Sequence, residues 1–232
     1  MSDPEPRSYI TERTKMWRTR DVRPKVFASL DVIEKHGYQL LHISADAVCP
    51  AFSYSAGVYE TGGLPELITV GLPANPAHYA LNKAISLMKE GVDLTNGRHR
   101  NIIGNVEVEF RKVDSKWLHH VMLRADWFYD GEDVPVLQLV FPDLENRFQD
   151  ESDSFNEFFR QPLLSGEIED GTLAYNFWAS HDDKSSLSRW KFPDPPHTSS
   201  YLSQTVHDQE ECVTYVSHEC RWRLAIPRRQ NV

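Results

Sequence analysis

Four residues of the types that catalyse proton transfer lie in the first third of the chain: His36, Ser53, Tyr54 and Glu66. A histidine serves as a base near neutral pH, a serine or tyrosine hydroxyl donates a proton or becomes a nucleophile, and a carboxylate orients the histidine. Together these types suit general acid–base chemistry, provided that the fold brings them together. We therefore treat the four as candidate catalytic residues.

Three further residues are candidates for ligand binding. Residues 134–141 are nearly all apolar, which predicts a central strand covered on both faces. Gln138 is the polar exception in this strand, and its amide needs partners, either a neighbouring backbone group or a ligand. Asp143 follows the strand, where functional groups of α/β sheets often gather. Asn82 lies in a helix predicted over residues 75–90.

A helix followed by a strand must position His36. Apolar residues at helical spacing predict a helix that ends at His36, and Gly37 suits the left-handed conformation in which many helices end. Residues 38–44 then predict a strand, with His42 on one of its faces. His36 is therefore expected at the joint between the two elements.

Tyr54 and Glu66 belong to the two segments that follow this strand. Residues 50–57 combine aromatic and hydroxyl side chains and indicate a connection, whereas residues 65–72 predict a second short strand. Because short connections keep sequential elements adjacent, we expect His36, Tyr54 and Glu66 to meet at one end of the sheet, within about 6 Å. A carboxylate at that distance would raise the pKa of His36. In the competing interpretation, His36 only ends its helix.

The remaining segments complete an α/β (α+β) fold in which helices flank a mixed β-sheet. They are a helix over residues 75–90, a mobile loop over 92–104, a strand over 105–113, a helix over 115–129 and the central strand over 134–141. The loop carries Arg98, His99 and Arg100, which we interpret as a solvated basic cluster, with an anion site as the alternative.

The charge distribution suggests three regions. Residues 1–25 hold seven Lys and Arg against four Asp and Glu, although the whole chain carries a net charge of −9. We predict a basic N-terminal arm (1–21), a mixed α/β domain (22–148) and a β-containing C-terminal extension (149–232) with a hairpin over 212–226. The arm is interpreted as a lead-in that packs Trp17 on the domain, and contact with an acidic partner is the alternative.

The composition argues against several classes of protein. A net charge of −9 does not suit general nucleic-acid binding. The sequence contains no run of about 18 apolar residues and no secretory signal, so neither a membrane span nor secretion is expected. Cys49, Cys212 and Cys220 form no spacing framework and are expected to be reduced thiols in the cytoplasm. Because the usual catalytic and metal-binding motifs are absent from the sequence, we assign no metal site and name no cofactor.

Several short motifs follow one another across residues 26–148. They are His36-Gly37-Tyr38, Phe52-Ser53-Tyr54-Ser55-Ala56-Gly57, Pro65-Glu66-Leu67, Gly71-Leu72, Leu81-Asn82 and Gln138 through Pro142-Asp143. As a set they resemble the bacterial domain-of-unknown-function family 4262. That family commonly has Thr-Val-Gly-Leu after the tyrosine, where this chain has Ser55-Ala56-Gly57-Val58. The resemblance implies a small α/β domain and a bacterial source, and it brings no established activity.

Two classes of function are consistent with these patterns. The first is a non-catalytic cytoplasmic protein that binds another protein, such as an immunity or accessory factor. The negative charge, the acidic cluster over residues 143–157 and the lack of catalytic motifs favour it. Residues 213–222 are also faintly similar to a C-terminal module of some bacterial immunity-type proteins, although Cys220-Arg221 replaces its acidic, glycine-containing turn. The second is a hydrolase or modifying enzyme that uses His36, Tyr54 and Glu66.

Overall fold

The computed structural model describes residues 8–20, 24–45, 50–156 and 159–165. The helices in these residues are α1 (Glu12–Thr19), α2 (Pro24–His36), α3 (Val58–Gly62), α4 (Ala74–Lys89), α5 (Ser115–Val121) and α6 (Leu123–Phe128). The strands are β1 (Gln39–Ile43), β2 (Phe52–Ala56), β3 (Glu66–Val70), β4 (Arg98–Ile103), β5 (Val106–Lys112) and β6 (Val136–Val140). None of these helices has both the length and the apolar character that crossing a bilayer requires.

The strands form one mixed sheet with the order β1-β2-β3-β6-β5-β4. β3 and β6 are parallel neighbours, and the other neighbouring pairs are antiparallel. The chain between β3 and β6 contains α4, the β4–β5 hairpin, α5 and α6. All five residues of β6 are buried, as its continuous apolar run predicts. The predicted fold, a mixed sheet flanked by helices, is confirmed for the described residues.

Two hydrophobic clusters cover the two faces of the sheet. One cluster joins β1, β2 and β3 to α1, α2, α5 and α6, and it includes Trp17, Ile33 and Phe128. The other joins side chains of β1, β3, β4, β5 and β6 to α4, and it includes Leu81 and Met88. Successive residues of a strand point to opposite faces, so both sets of side chains on β1, β2 and β3 are buried.

Two segments predicted as connections are strands. The expected connection over residues 50–57 contains β2, in which Ser53 and Ser55 alternate with buried aromatic side chains. Polar residues at alternate positions are tolerated inside because hydrogen bonds satisfy their hydroxyls. The expected loop over residues 92–104 contains β4, where Arg98 and Arg100 pair with carboxylates of β5. These ion pairs, rather than an apolar pattern, accompany the pairing of the two strands.

Helix α2 ends as predicted, whereas the helix predicted over residues 115–129 is interrupted. Gly37 follows α2 with φ of 86° and donates its N–H to the carbonyl of Ile33. Met122 separates α5 from α6 because its backbone (φ −94°, ψ 51°) leaves the helical region. The helix α3, after Gly57, was not expected from the sequence.

Helix α1 attaches the basic arm to the domain. Trp17 is buried, and its Nε1 donates to the carbonyl of Phe128 at 2.9 Å. The arginines of α1 and its C-cap form ion pairs with carboxylates of the domain: Arg13 with Glu60 and Glu132, Arg18 with Asp31 and Glu34, and Arg20 with Asp130. The interpretation that the arm packs Trp17 on the domain is confirmed. The three-region division stays a prediction, since the hairpin over 212–226 lies outside the described residues.

Candidate functional site

A buried carboxylate stands where β2, α3 and β3 meet. Glu66 is 0% exposed at the start of β3. Its Oε1 accepts hydrogen bonds from the N–H of Gly57 at 2.8 Å, from the N–H of Tyr59 at 3.1 Å and from the hydroxyl of Tyr129. Its Oε2 accepts from the hydroxyl of Ser55. The carboxylate therefore links two strands, the turn into α3 and the end of α6.

The hydrogen bonds around Glu66 have a consistent donor direction. The Ser55 hydroxyl accepts from the N–H of Leu67 at 2.8 Å, so its own proton is available for Glu66. The Tyr129 hydroxyl likewise accepts from the N–H of Glu60 at 3.4 Å. With two amides added, the carboxylate faces four donors, which is the pattern that an ionised carboxylate needs.

Burial and hydrogen bonding act in opposite directions on this carboxylate. Burial raises the pKa of Glu66 above its usual value, and the bonds from Ser55, Tyr129 and the two amides oppose that rise. Burial and the neighbouring carboxylate also raise the pKa of Tyr129, which keeps its phenol protonated. Four fixed donors around one acceptor give the group a structural role at the end of the sheet.

A second polar group lies at the opposite end of the same strands. His42 is 7% exposed near the end of β1, and its Nδ1 forms a hydrogen bond of 2.8 Å with Oγ of Ser53 on β2. His78, in the second turn of α4, lies beside it, with ring centroids 6.3 Å apart and ring planes at 86°. The Nε2 atom of His78 is enclosed and has no hydrogen-bond partner among the described residues.

Both of these imidazoles are neutral at physiological pH. Burial lowers the pKa of His42. Burial and the adjacent His42 lower the pKa of His78 to about 4. Each ring therefore has one nitrogen that carries a proton and one that accepts, and the bond to Ser53 restrains the His42 ring. The sequence predicts His42 only as a strand residue and indicates no role for His78.

The predicted catalytic residues make different contacts. Tyr54 points away from its neighbouring serines, and its hydroxyl accepts from the N–H of Arg124 at 3.2 Å. Burial raises the pKa of Tyr54 to about 12. Ser53 contacts His42, whereas Glu66 contacts Ser55 and Tyr129. A site shared by His36, Tyr54 and Glu66 stays a prediction.

The three predicted ligand-binding residues also have partners within the chain. Gln138 is buried as expected; its Nε2 donates to the carbonyl of Pro162 at 2.7 Å, and its Oε1 accepts from the N–H of Leu164 at 2.8 Å. Asn82 accepts a hydrogen bond of 2.8 Å from the hydroxyl of Tyr38. A ligand-binding role for these two residues stays a prediction.

Asp143 organises the loop that follows β6. Its carboxylate accepts from the backbone N–H groups of Glu145, Arg147 and Asn156 and from the Arg147 guanidinium. Burial alone would raise the pKa of Asp143, but the hydrogen bonds from Arg147 and Asn156 hold it below its usual range. Its ligand-binding role likewise stays a prediction.

The basic cluster on β4 is largely neutralised by neighbouring acids. Arg98 pairs with Glu109 and Glu151, and Arg100 pairs with Glu107. His99 Nε2 forms a hydrogen bond with the carbonyl of Leu94. These contacts favour a paired surface over an anion site. In the described ranges, no group of three or more His, Cys, Asp or Glu side chains is arranged to hold a metal ion.

Sequence comparison places this fold among protein families. Residues 32–154 match the family described as "Domain of unknown function (DUF4262)". No curated protein and no solved structure matches the chain.

Proposed function

The chain belongs to the DUF4262 family, and we propose that it is a cytoplasmic, non-catalytic binding protein of the accessory or immunity type that holds another protein. The observation that carries this proposal is the enclosure of Glu66. Its side chain is 0% exposed, and its oxygens face four donors from the chain itself. A general acid or base must come within hydrogen-bond reach of its substrate, so this enclosure supports a structural rather than a catalytic role for Glu66.

Exposed hydrophobic side chains support a binding role. In the described part of the chain, large hydrophobic side chains are exposed at Ile10 (55%), Tyr59 (40%) and Val92 (38%). We call these three residues the Tyr59 surface. Hydrophobic and aromatic side chains of this kind are typical anchors of protein interfaces.

Contacts around Gly37 and Tyr9 support the grouping of these three residues as one surface. The carbonyl of Gly37, after α2, accepts from the Thr61 hydroxyl of α3 at 2.6 Å. The ring of Tyr9, next to Ile10, lies so close to Gly37 that a Cβ there would be 3.2 Å away. Lys89 Nζ, in the last turn of α4 and three residues before Val92, lies 5.9 Å from the centre of that ring. The elements that carry the three exposed side chains therefore converge.

The Glu66 carboxylate holds the most suitable anchor of this surface in place. Its Oε1 accepts the backbone N–H of Tyr59, and the Tyr59 ring packs edge-on against Tyr129 with centroids 6.2 Å apart. An aromatic side chain on a restrained backbone loses little conformational freedom when a partner binds. The buried acid thus supports binding by positioning Tyr59 rather than by transferring a proton.

The test is a comparison of partner capture by surface variants. Wild type, Tyr59→Ser and the double variant Ile10→Ser/Tyr59→Ser are used as bait in lysate of the source organism. Recovered proteins are quantified by mass spectrometry. We expect one protein whose recovery falls by at least about tenfold with Tyr59→Ser and further with the double variant. A few anchor residues contribute most of the binding energy of an interface, and truncating them removes that contribution.

Tyr79→Ser provides the matched control. Tyr79 is a half-buried tyrosine near the N-terminal end of α4, whereas Val92 follows the C-terminal end of that helix. It should leave recovery of that protein unchanged. Equal recovery with every bait would contradict the proposal. So would turnover of a substrate by the purified protein that disappears in a folded Glu66→Gln variant, an outcome that would instead support the hydrolase or modifying-enzyme alternative.

A further inference from the structure

His42, Ser53 and His78 form a contact between three elements, which we call the histidine joint. The bond between His42 Nδ1 and Ser53 Oγ joins β1 to β2, and His78 brings the beginning of α4 against them. Leu40 and Leu81 lie in the hydrophobic cluster that this part of α4 covers. The joint therefore lies where α4 packs against the sheet.

Among the described residues, the joint has no group that would stabilise a positive charge. Ser53 is a hydrogen-bond partner of His42, and the titratable group that acts on the pKa of His78 is His42 itself. The N-cap of α4 is Pro73, whose side chain makes no capping bond. Unpaired N–H groups at a helix N-terminus carry a partial positive charge, which further disfavours a cation on the nearby His78.

In the part of the chain that the structure describes, the charged groups of the neighbouring strands have partners elsewhere. β3 contributes Thr69, which does not titrate and bonds to the carbonyl of Leu139, while Glu66 lies at the other end of that strand. β4, which also packs along α4, carries Arg98, His99 and Arg100, with the partners described above. Lys83, five residues after His78, would add positive charge, not compensate it.

A metal ion suits this place less well than a proton-dependent contact. Within the described ranges the two imidazoles have no third His, Cys, Asp or Glu side chain with which to form a coordination group. Zinc sites in proteins use three or four such ligands. A cation would also meet the positive end of α4.

We propose that the histidine joint is an acid-sensitive contact, which is closed while both imidazoles are neutral and releases the first two turns of α4 from β1 and β2 when either is protonated. Protonation of His78 would place a charge, for which the described residues offer no counter-ion, against the neutral His42 ring. Separation of α4 lets water solvate that charge. The release is local because α1, α2, α5 and α6 pack on the opposite face of the sheet.

The direction of the pH dependence follows from the lowered pKa values. A histidine whose pKa is lower in the closed state contributes its full stability above pH 6.5, the ordinary value, and loses it as the pH falls towards about 4 for His78. Opening should therefore become more frequent between pH 6.5 and pH 4. At pH 5 the opening equilibrium should rise roughly ten- to thirtyfold over that at pH 7.5.

Hydrogen exchange of the full chain tests this inference. Amide exchange is followed by mass spectrometry at pH 7.5 and pH 5.0 and corrected for the intrinsic effect of pH. We expect peptides that cover residues 74–81 to lose protection by roughly ten- to thirtyfold at pH 5.0. Peptides that cover α5 and α6 should change less than threefold.

Variants separate the joint from general acid sensitivity. His78→Phe and, independently, His78→Gln should remove most of the loss over residues 74–81. His119→Gln, on the opposite face of the sheet, should leave it unchanged. The proposal is overturned if the loss in wild type is equal over α4 and α5–α6, or if a folded His78 variant shows the same loss as wild type.

Discussion

The two ends of the same three strands hold buried polar groups of opposite character. At one end Glu66 accepts hydrogen bonds from four donors. Two of these donors, the Ser55 and Tyr129 hydroxyls, each also accept a bond from a backbone N–H, which fixes the direction in which they donate. At the other end His42 bonds to Ser53, and the Nε2 atom of His78 has no partner among the described residues. Because an unpaired buried polar atom is expensive, only the first group adds to rigidity.

This difference indicates that the two ends of the sheet have different roles. The end with satisfied hydrogen bonds fixes α3 and presents the Tyr59 surface, so its polar side chains maintain the shape of that surface. The unsatisfied end retains two neutral imidazoles where a pair of apolar side chains would pack at least as well. Partly satisfied polar groups are where local opening begins, and the end of α4 nearest His78 is therefore the sensitive one.

The largest expected effect comes from removing the satisfied carboxylate. Glu66→Leu leaves two amides and two hydroxyls without an acceptor, so the free energy of unfolding should fall by about 3–5 kcal/mol in urea titration at pH 7.5. Glu132→Leu, which removes an exposed partner of Arg13, is the matched control and should change it by less than about 1 kcal/mol. A loss below about 1 kcal/mol for Glu66→Leu would remove the contrast between the two ends.

Gln138→Leu tests a satisfied group of smaller size on β6. It removes the partners of the Pro162 carbonyl and the Leu164 N–H, so unfolding free energy should fall by roughly 1–3 kcal/mol. The residues around position 162 should lose hydrogen-exchange protection, while the Tyr59 surface should be unaffected. Unchanged stability combined with loss of a bound ligand would instead assign Gln138 to a binding site.

Residues that obey a local rule could be predicted from the sequence. Gly37 follows an amphipathic helix, and the structure gives it the positive φ that ends α2. Gln138 interrupts an apolar run, which predicted a buried and bonded amide. The central position of β6 followed from the same run. In each case, one short segment contains the whole physical cause.

Contacts between distant segments could not be predicted in this way. Ser55 and Tyr129 reach Glu66 from β2 and from the end of α6, which are 11 and 63 residues away. His78 meets His42 only because α4 runs back across the sheet after β3. Strand β4 lacks an alternating apolar pattern, and its arginines form ion pairs with carboxylates of β5. The alternation of Ser53 and Ser55 was the one sequence signal that could have identified β2.

Replacing the unsatisfied histidine should have little effect at neutral pH. Because Nε2 of His78 has no partner to lose in the described part of the chain, His78→Phe should alter unfolding free energy by less than about 1 kcal/mol at pH 7.5. Below pH 6.5, wild type should lose stability towards pH 4 and the variant should lose less, since a lowered histidine pKa opposes folding in that window. A large loss at pH 7.5 would mean that His78 is held as firmly as Glu66.

The smallest effect concerns a histidine with the opposite pH dependence. His119 bonds to Asp126 through Nδ1 and to Asp133 through Nε2, and these bonds raise its pKa. Its contribution is therefore full below pH 6.5, the ordinary value, and is lost as the pH rises through the raised value. Since more than a third of the Asp133 side chain is exposed, solvent limits the effect to at most about 1 kcal/mol.

His119→Gln should accordingly lower unfolding free energy slightly at pH 5.5 and leave it unchanged at pH 8.5, as measured by urea titration. His78→Phe should have the opposite effect: relative to wild type, its unfolding free energy should be higher at pH 5.5. The two variants thus carry opposite signs at the same pH, although both remove one imidazole. The same sign for both would show that acid stability depends on net charge alone, and the contrast between a paired and an unpaired histidine would then have no energetic basis.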